Sequence, residues 1–293
     1  MAEIIQIPHS GDEHGYDNPI PVVNLPAPFY RTDKRKNWNT NRHRRKYIFW
    51  HGDYVNGNNL LQHGDLYFWG EWEPPTYVWD RRIRGNGPRY IHFPIPGSSL
   101  AAAPGRGQTA ASRCGTNTDP CVFGDTFKYI ICQQNSRMGS HNRGDVLLFG
   151  SFRQGNFRLD TVLVVDKIIP YTLLPGQNPQ LGTTVSAEYQ NVTVSRIVGR
   201  NRPITRWFYR GSTFVNAQTP YSFSPAVLPV GNQPITRNRM TIQAADPVLG
   251  PFLRSGAQWP YNSGRSFGQT EWQYLISLCR QQGFVPAVKM PYP

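Results

Sequence analysis

Two apolar runs constrain this chain more than any other feature of it. Gly144-Asp145 opens Val146-Leu147-Leu148-Phe149. A Gly-containing turn follows at 150–156, and FRLDTVLVVD, Phe157 to Asp166, brings the chain back. Short runs rich in β-branched and aliphatic residues, bounded by turn residues, read as buried strands. They are predicted to pair antiparallel at the centre of the fold. The composition agrees. With 27 glycines, 26 prolines, 13% aromatics and only 17% charged residues, strands and turns are favoured over helices. The expected class is mainly β or α+β, with a central antiparallel or barrel-like sheet, long Pro/Gly-rich loops and a C-terminal helix over about 271–282. That helix is signed by Thr270 and Gln273 in a T-x-x-Q pattern. Trp272, Leu275, Ile276 and Cys279 fall on one face, and Gly283 marks the stop.

A chain of 293 residues suits one large domain or two modest ones. Residues 1–46 read as an extended arm, punctuated by Pro8, Pro19, Pro21, Pro26 and Pro28, that runs into a basic segment. Residues 47–293 read as a single large β-rich domain, with a possible seam in the small, polar stretch 97–115. Cys114, Cys121, Cys132 and Cys279 contain no C-x-x-C pair, so no structural metal is predicted. No cofactor motif is recognisable, and the cofactor expectation is none. The N-terminus has no signal-peptide pattern, and no apolar run approaches the 18 or so residues of a membrane span. The reading is a cytoplasmic protein with no membrane partner.

The formal charge of +13 favours encounter with polyanions, nucleic acid or nucleotide first among them. The positive charge is clustered at 31–46, 81–89 and 200–210. Arg35, Lys36, Arg44, Arg45, Arg82, Arg84, Arg206 and Arg210 are the candidate phosphate contacts. Trp38 lies within the first cluster, and Trp207-Phe208-Tyr209 lies within the third. Nothing in the sequence names a protein partner.

The stretch 47–79 carries four of the eight tryptophans, Trp50, Trp69, Trp72 and Trp79. Tyr47–Trp50 and Leu66–Trp69 read as short strands, with a connection too long for a tight hairpin. Trp50, Trp69, Trp72 and Glu71 are expected to line a semi-exposed slot able to stack on a base. Glu71 and Glu73 fall on one face of an extended segment and are weak catalytic candidates, as is His51. Salt bridges to the basic clusters are the better use for the two glutamates. His51-Gly52-Asp53 and His63-Gly64-Asp65 repeat at a spacing of twelve. They offer possible metal ligands, although Gly-Asp also suits a plain turn. Gly264-Arg-Ser-Phe-Gly268 matches G-x-S-x-G, but no Asp or His follows it, so it is not read as a nucleophile elbow.

The unit at 144–165, Gly144-Asp145-Val-Leu-Leu-Phe-Gly-Ser151 followed by Leu159-Asp-Thr-Val-Leu-Val-Val165, resembles a recurring element of PUA-like domains, the EVE, YTH and ASCH group. The resemblance implies a small β-barrel that recognises RNA or modified bases through an aromatic-lined pocket. It covers that unit alone, and no site residue is carried over from it. Phe49-Trp50-His51-Gly52 followed by Leu66-Tyr67-Phe68 is similar to the H-G strand and later tyrosine of ADP-ribosyltransferases, in which the two sit further apart. That likeness implies an enzyme alternative, with Glu271 or Glu188 as its glutamate. A structural or interaction protein is the third class.

Overall fold

The structure is a computed structural model. It describes residues 2–9, 12–13, 20–21, 29–32, 44–72, 74, 76–81, 88–95, 118–181, 185–197, 199, 201–229 and 239–293. The strands are β1 (Ala2–Pro8), β2 (Asp12–Glu13), β3 (Ile20–Pro21), β4 (Phe29–Thr32), β5 (Arg44–Val55), β6 (Leu61–Gly70), β7 (Thr76–Asp80) and β8 (Tyr90–Pro94). They continue with β9 (Lys128–Tyr129), β10 (Val146–Arg153), β11 (Asn156–Leu173), β12 (Ile204–Gly211), β13 (Ser224–Val227), β14 (Met240–Gln243), β15 (Tyr261–Phe267) and β16 (Val285–Lys289). Two α-helices, α1 (Ala187–Val192) and α2 (Gln269–Gln281), complete the described elements together with short 3-10 turns.

Among the described residues the strands form two sheets, and the protein is mainly β. The first runs β15-β1-β10-β11-β12-β9, with β14 also on β11. The second runs β16-β13-β6-β5-β8-β7-β4-β3, with β2 on β5. Strand β16 also pairs with β5, so β5, β6, β13 and β16 close a ring of hydrogen-bonded neighbours. No helix among the described residues is long and apolar enough to cross a membrane.

The predicted hairpin is central to the first sheet. Val146 pairs with Val164 and Leu148 with Val162 in antiparallel register. Both faces of the pair are covered. Leu147, Phe149, Leu163 and Val165 join one apolar cluster, while Val146, Leu148, Val162 and Val164 join another. The turn is tighter than 150–156 suggested. β10 runs on to Arg153, and the chain reverses at Gln154 (φ 52°) and Gly155 (φ 76°), a two-residue reversal whose positive φ values match the twist of the strands. Gly150 sits at a register shift, where a Cβ would run into the Arg158 carbonyl and the Phe157 ring. Gly150→Ala is expected to cost ~1–3 kcal/mol through overpacking, read as a lower urea midpoint with an unchanged denaturant slope.

Two expectations change. Residues 2–8, read as part of a surface arm, form a strand between β10 (parallel, Ile4↔Val146) and β15 (antiparallel). Ile4, Ile5 and Ile7 are buried, so burial of these side chains outweighs the prolines that follow. The connection from Trp50 to Leu66 is itself a hairpin. β5 and β6 pair over ten residues, from Lys46↔Gly70 to Val55↔Leu61. Asn56 holds its tip by accepting from the Asn58 and Leu60 N–H groups.

Helix α2 forms where the periodicity placed it and buries Trp272, Leu275, Ile276 and Cys279. Its cap differs by two residues. Gly268 is the N-cap, and Glu271 Oε2 accepts the Gly268 N–H at 2.9 Å.

Candidate nucleic-acid interface

The third basic cluster becomes a strip along β11 and β12. Lys167 is the register partner of Arg210, and Tyr171 of Arg206. Alternation along the strands therefore puts Lys167, Arg206 and Arg210 on one side, which they share with the buried Tyr171 and Phe208. Arg143, in the turn before β10, reaches the same place. It lies 3.3 Å from one oxygen of Asp166, while Arg210 Nε donates to the other at 3.0 Å. Asp166 thus tethers two arginines and leaves a strip of four cations with one acid. Lys167 and Arg143 are exposed, and Arg206 and Arg210 are half-exposed. Beneath the strip the strand is anchored. Tyr209 donates to the Met138 carbonyl, and Gln134 exchanges hydrogen bonds with the Trp207 backbone.

The other candidates separate. Arg35, Lys36, Glu73, Arg82 and Arg84, with Trp38 and the 97–115 seam, lie outside the described residues. Arg44 begins β5, and its side chain is outside the description. Arg45, expected at phosphate, is fully buried instead. Its guanidinium lies 3.2 Å from Glu71 Oε1 and 3.2 Å from Asp160 Oδ2. Asp160 is in turn 3.2 Å from Arg239 Nε, and His9 stands 3.6 Å from Glu71. Burial pushes the Asp160 carboxyl up, against Arg239 and Arg45, which pull it down. The preferred reading of Glu71 as an ion-pair partner therefore agrees with the geometry. Its reading as part of an open slot does not.

The tryptophans follow the same division. Trp72 is buried against the Phe123 edge, and Trp69 is buried against Tyr47 with the Arg239 guanidinium 4.3 Å above it. In place of a semi-exposed slot, both indoles belong to the interior, and that of Trp69 lies under the buried Arg239. Trp50 is half-buried and donates Nε1 to the Pro291 carbonyl at 2.9 Å.

The His-Gly-Asp repeat is explained by register. His51 faces Asp65 and Asp53 faces His63 across β5 and β6. The Nδ1–Oδ1 distances are 2.9 and 2.6 Å, and the two imidazoles stand edge to face at 4.3 Å. These are cross-strand pairs in mid-hairpin, not turn residues. Of the two glutamates offered with the transferase likeness, Glu271 is committed to the start of α2, and Glu188 is exposed in the first turn of α1.

A cavity of about 260 Å³ opens between the 3-10 turn at Ser136–Ser140 and β15, lined by residues that include Ile5, Arg137, His141, Arg254, Tyr261 and Asn262. Arg254 lies over the Tyr261 ring at 5.7 Å. Burial holds the His141 imidazole below its ordinary value, against Asp145 and Glu3, which pull it up. Sequence reasoning missed this cavity and the partners Asp160, Arg239 and His9. One signal was present: Asp160 interrupts an apolar strand, and a buried acid there needs a cation.

No protein-family model, no curated protein and no solved structure matches this chain.

Proposed function

We propose that the protein binds nucleic acid or a nucleotide through its basic clusters, with the β11–β12 strip in contact with phosphate. The observation that carries this reading is the composition of the strip. Arg143 and Arg210 meet at Asp166, Lys167 lies opposite Arg210, and Arg206 follows on the same side of β12. A surface serving solubility alone intersperses both signs. A line of cations on paired strands tracks a phosphate backbone. The resemblance of residues 144–165 to PUA-like base-recognition domains points the same way. The cavity beside Tyr261, with Arg137 and Arg254 at its walls, is the proposed place for a base. Stacking on the Tyr261 ring is tolerant of sequence.

The test is fluorescence anisotropy at low salt with labelled single- and double-stranded DNA and RNA, and competition by mononucleotides. Arg206→Ala and Lys167→Ala are expected to weaken binding to every sequence alike and to lower the salt slope by about 1 each, with thermal stability unchanged. No affinity for any of these ligands at low salt, or affinity indifferent to both substitutions, refutes the proposal.

A further inference from the structure

We propose that Glu3, His141 and Asp145 bind one divalent transition-metal ion of the Mn²⁺, Fe²⁺ or Zn²⁺ class. One ligand atom from each of the three lies within 4.8 Å of the other two. The topology brings them together. Parallel pairing of β1 with β10 sets Ile4 beside Val146, so the residues just before them, Glu3 and Asp145, are neighbours. The turn Gly139–Gly144 returns His141 to the same corner.

Each ligand is held before any ion arrives. Asp145 Oδ1 accepts the Glu3 N–H at 2.9 Å, and Oδ2 accepts the Asn142 N–H at 2.7 Å. Each of these oxygens keeps a further lone pair. Asn262 Nδ2 donates to Glu3 Oε2, an orienting contact of the kind that supports metal ligands from outside. His141 is buried, and its Nδ1 has no hydrogen-bond partner in the protein. It lies 3.7 Å from Asp145 Oδ2. That separation is too long for a hydrogen bond, and it suits two ligands on one ion with bonds of about 2.0–2.2 Å. A buried polar atom without a partner calls for a water or an ion.

The donor set sets the class. Two carboxylates close together repel unless a cation lies between them. One imidazole nitrogen beside them favours a borderline transition ion over Mg²⁺ or Ca²⁺, which prefer oxygen alone. His141 and Asn262 also line the neighbouring cavity, from which water would complete the coordination of a bound ion.

The experiment uses full-length protein stripped with chelator and titrated with MnCl₂ or ZnCl₂ alone. Calorimetry measures stoichiometry, and electron paramagnetic resonance follows bound Mn²⁺. One ion per chain is expected, with a rise in melting temperature. Glu3→Gln keeps the contact to Asn262 and should abolish the site, as should His141→Ala. Asn262→Ala should weaken binding about tenfold or more. A His51→Ala/His63→Ala variant removes the exposed imidazole pair and should bind as the wild type does. The proposal is overturned if no ion binds, if Mg²⁺ or Ca²⁺ binds as well, or if binding survives Glu3→Gln. It is also overturned if binding disappears with the exposed pair. Should His141→Ala fail to fold, Glu3→Gln decides. None of these readouts depends on nucleic acid.

Discussion

Between 50 and 200 mM salt, affinity for duplex DNA is expected to fall about 150-fold. The figure follows from Arg143, Lys167, Arg206 and Arg210 on the β11–β12 strip. For four phosphate contacts, log affinity falls against log salt with a slope of roughly −3.6, and a fourfold change in salt then gives about 150-fold. On a single strand the slope is about −2.8 and the loss about 50-fold. A flat salt response removes the electrostatic mechanism whatever the affinity. A steeper one assigns further contacts outside the strip. Arg35, Lys36, Arg82 and Arg84 are the cations to test then. Alanine at those positions should return the slope to the value of the strip, and Arg206→Glu should reduce it further than Arg206→Ala does.

The sheet centre was legible because it rests on local pattern. Val146–Phe149 and Val162–Val165 are apolar on both faces, and such runs have few places to go but between two packed layers. Helix α2 was legible for a similar reason, since four apolar residues on one face specify a docking direction. What failed was everything decided by long-range register. Ala2–Pro8 is a central strand because β10 and β15 flank it, and nothing near residue 8 announces partners more than a hundred residues away. His51-Gly-Asp53 and His63-Gly-Asp65 look like turns one at a time, yet opposite one another they form a ladder of complementary pairs. The basic run 31–46 reads as a uniform charged segment, but its last three residues enter β5. There Arg45 turns inward to Glu71 and Asp160, and Lys46 donates to the Pro74 carbonyl. A count of charges does not distinguish a phosphate contact from half of a buried ion pair. The partner does, and the partner lies elsewhere in the chain.

Removing Asp160 is expected to be the most damaging single change in the interior. The carboxylate lies between Arg45 and Arg239, all three of them buried. Asp160→Ala leaves two guanidinium groups in the core without their shared counter-ion, and breaking a buried pair in this way costs ~3–5 kcal/mol. Asp160→Asn keeps the shape and part of the hydrogen bonding, and should fall between the two. Chemical denaturation measures both. Trp72→Phe belongs to the same experiment, because Trp72 is buried against Phe123, next in sequence to Glu71. As an interior side chain it should lower stability and leave oligonucleotide affinity alone, whereas Arg206→Ala on the strip should do the reverse. If Trp72→Phe weakens binding at unchanged stability, the indole meets ligand and the 47–79 stretch is a pocket after all. If Asp160→Ala is as stable as wild type, the ion network contributes nothing and the burial of Arg45 has some other cause.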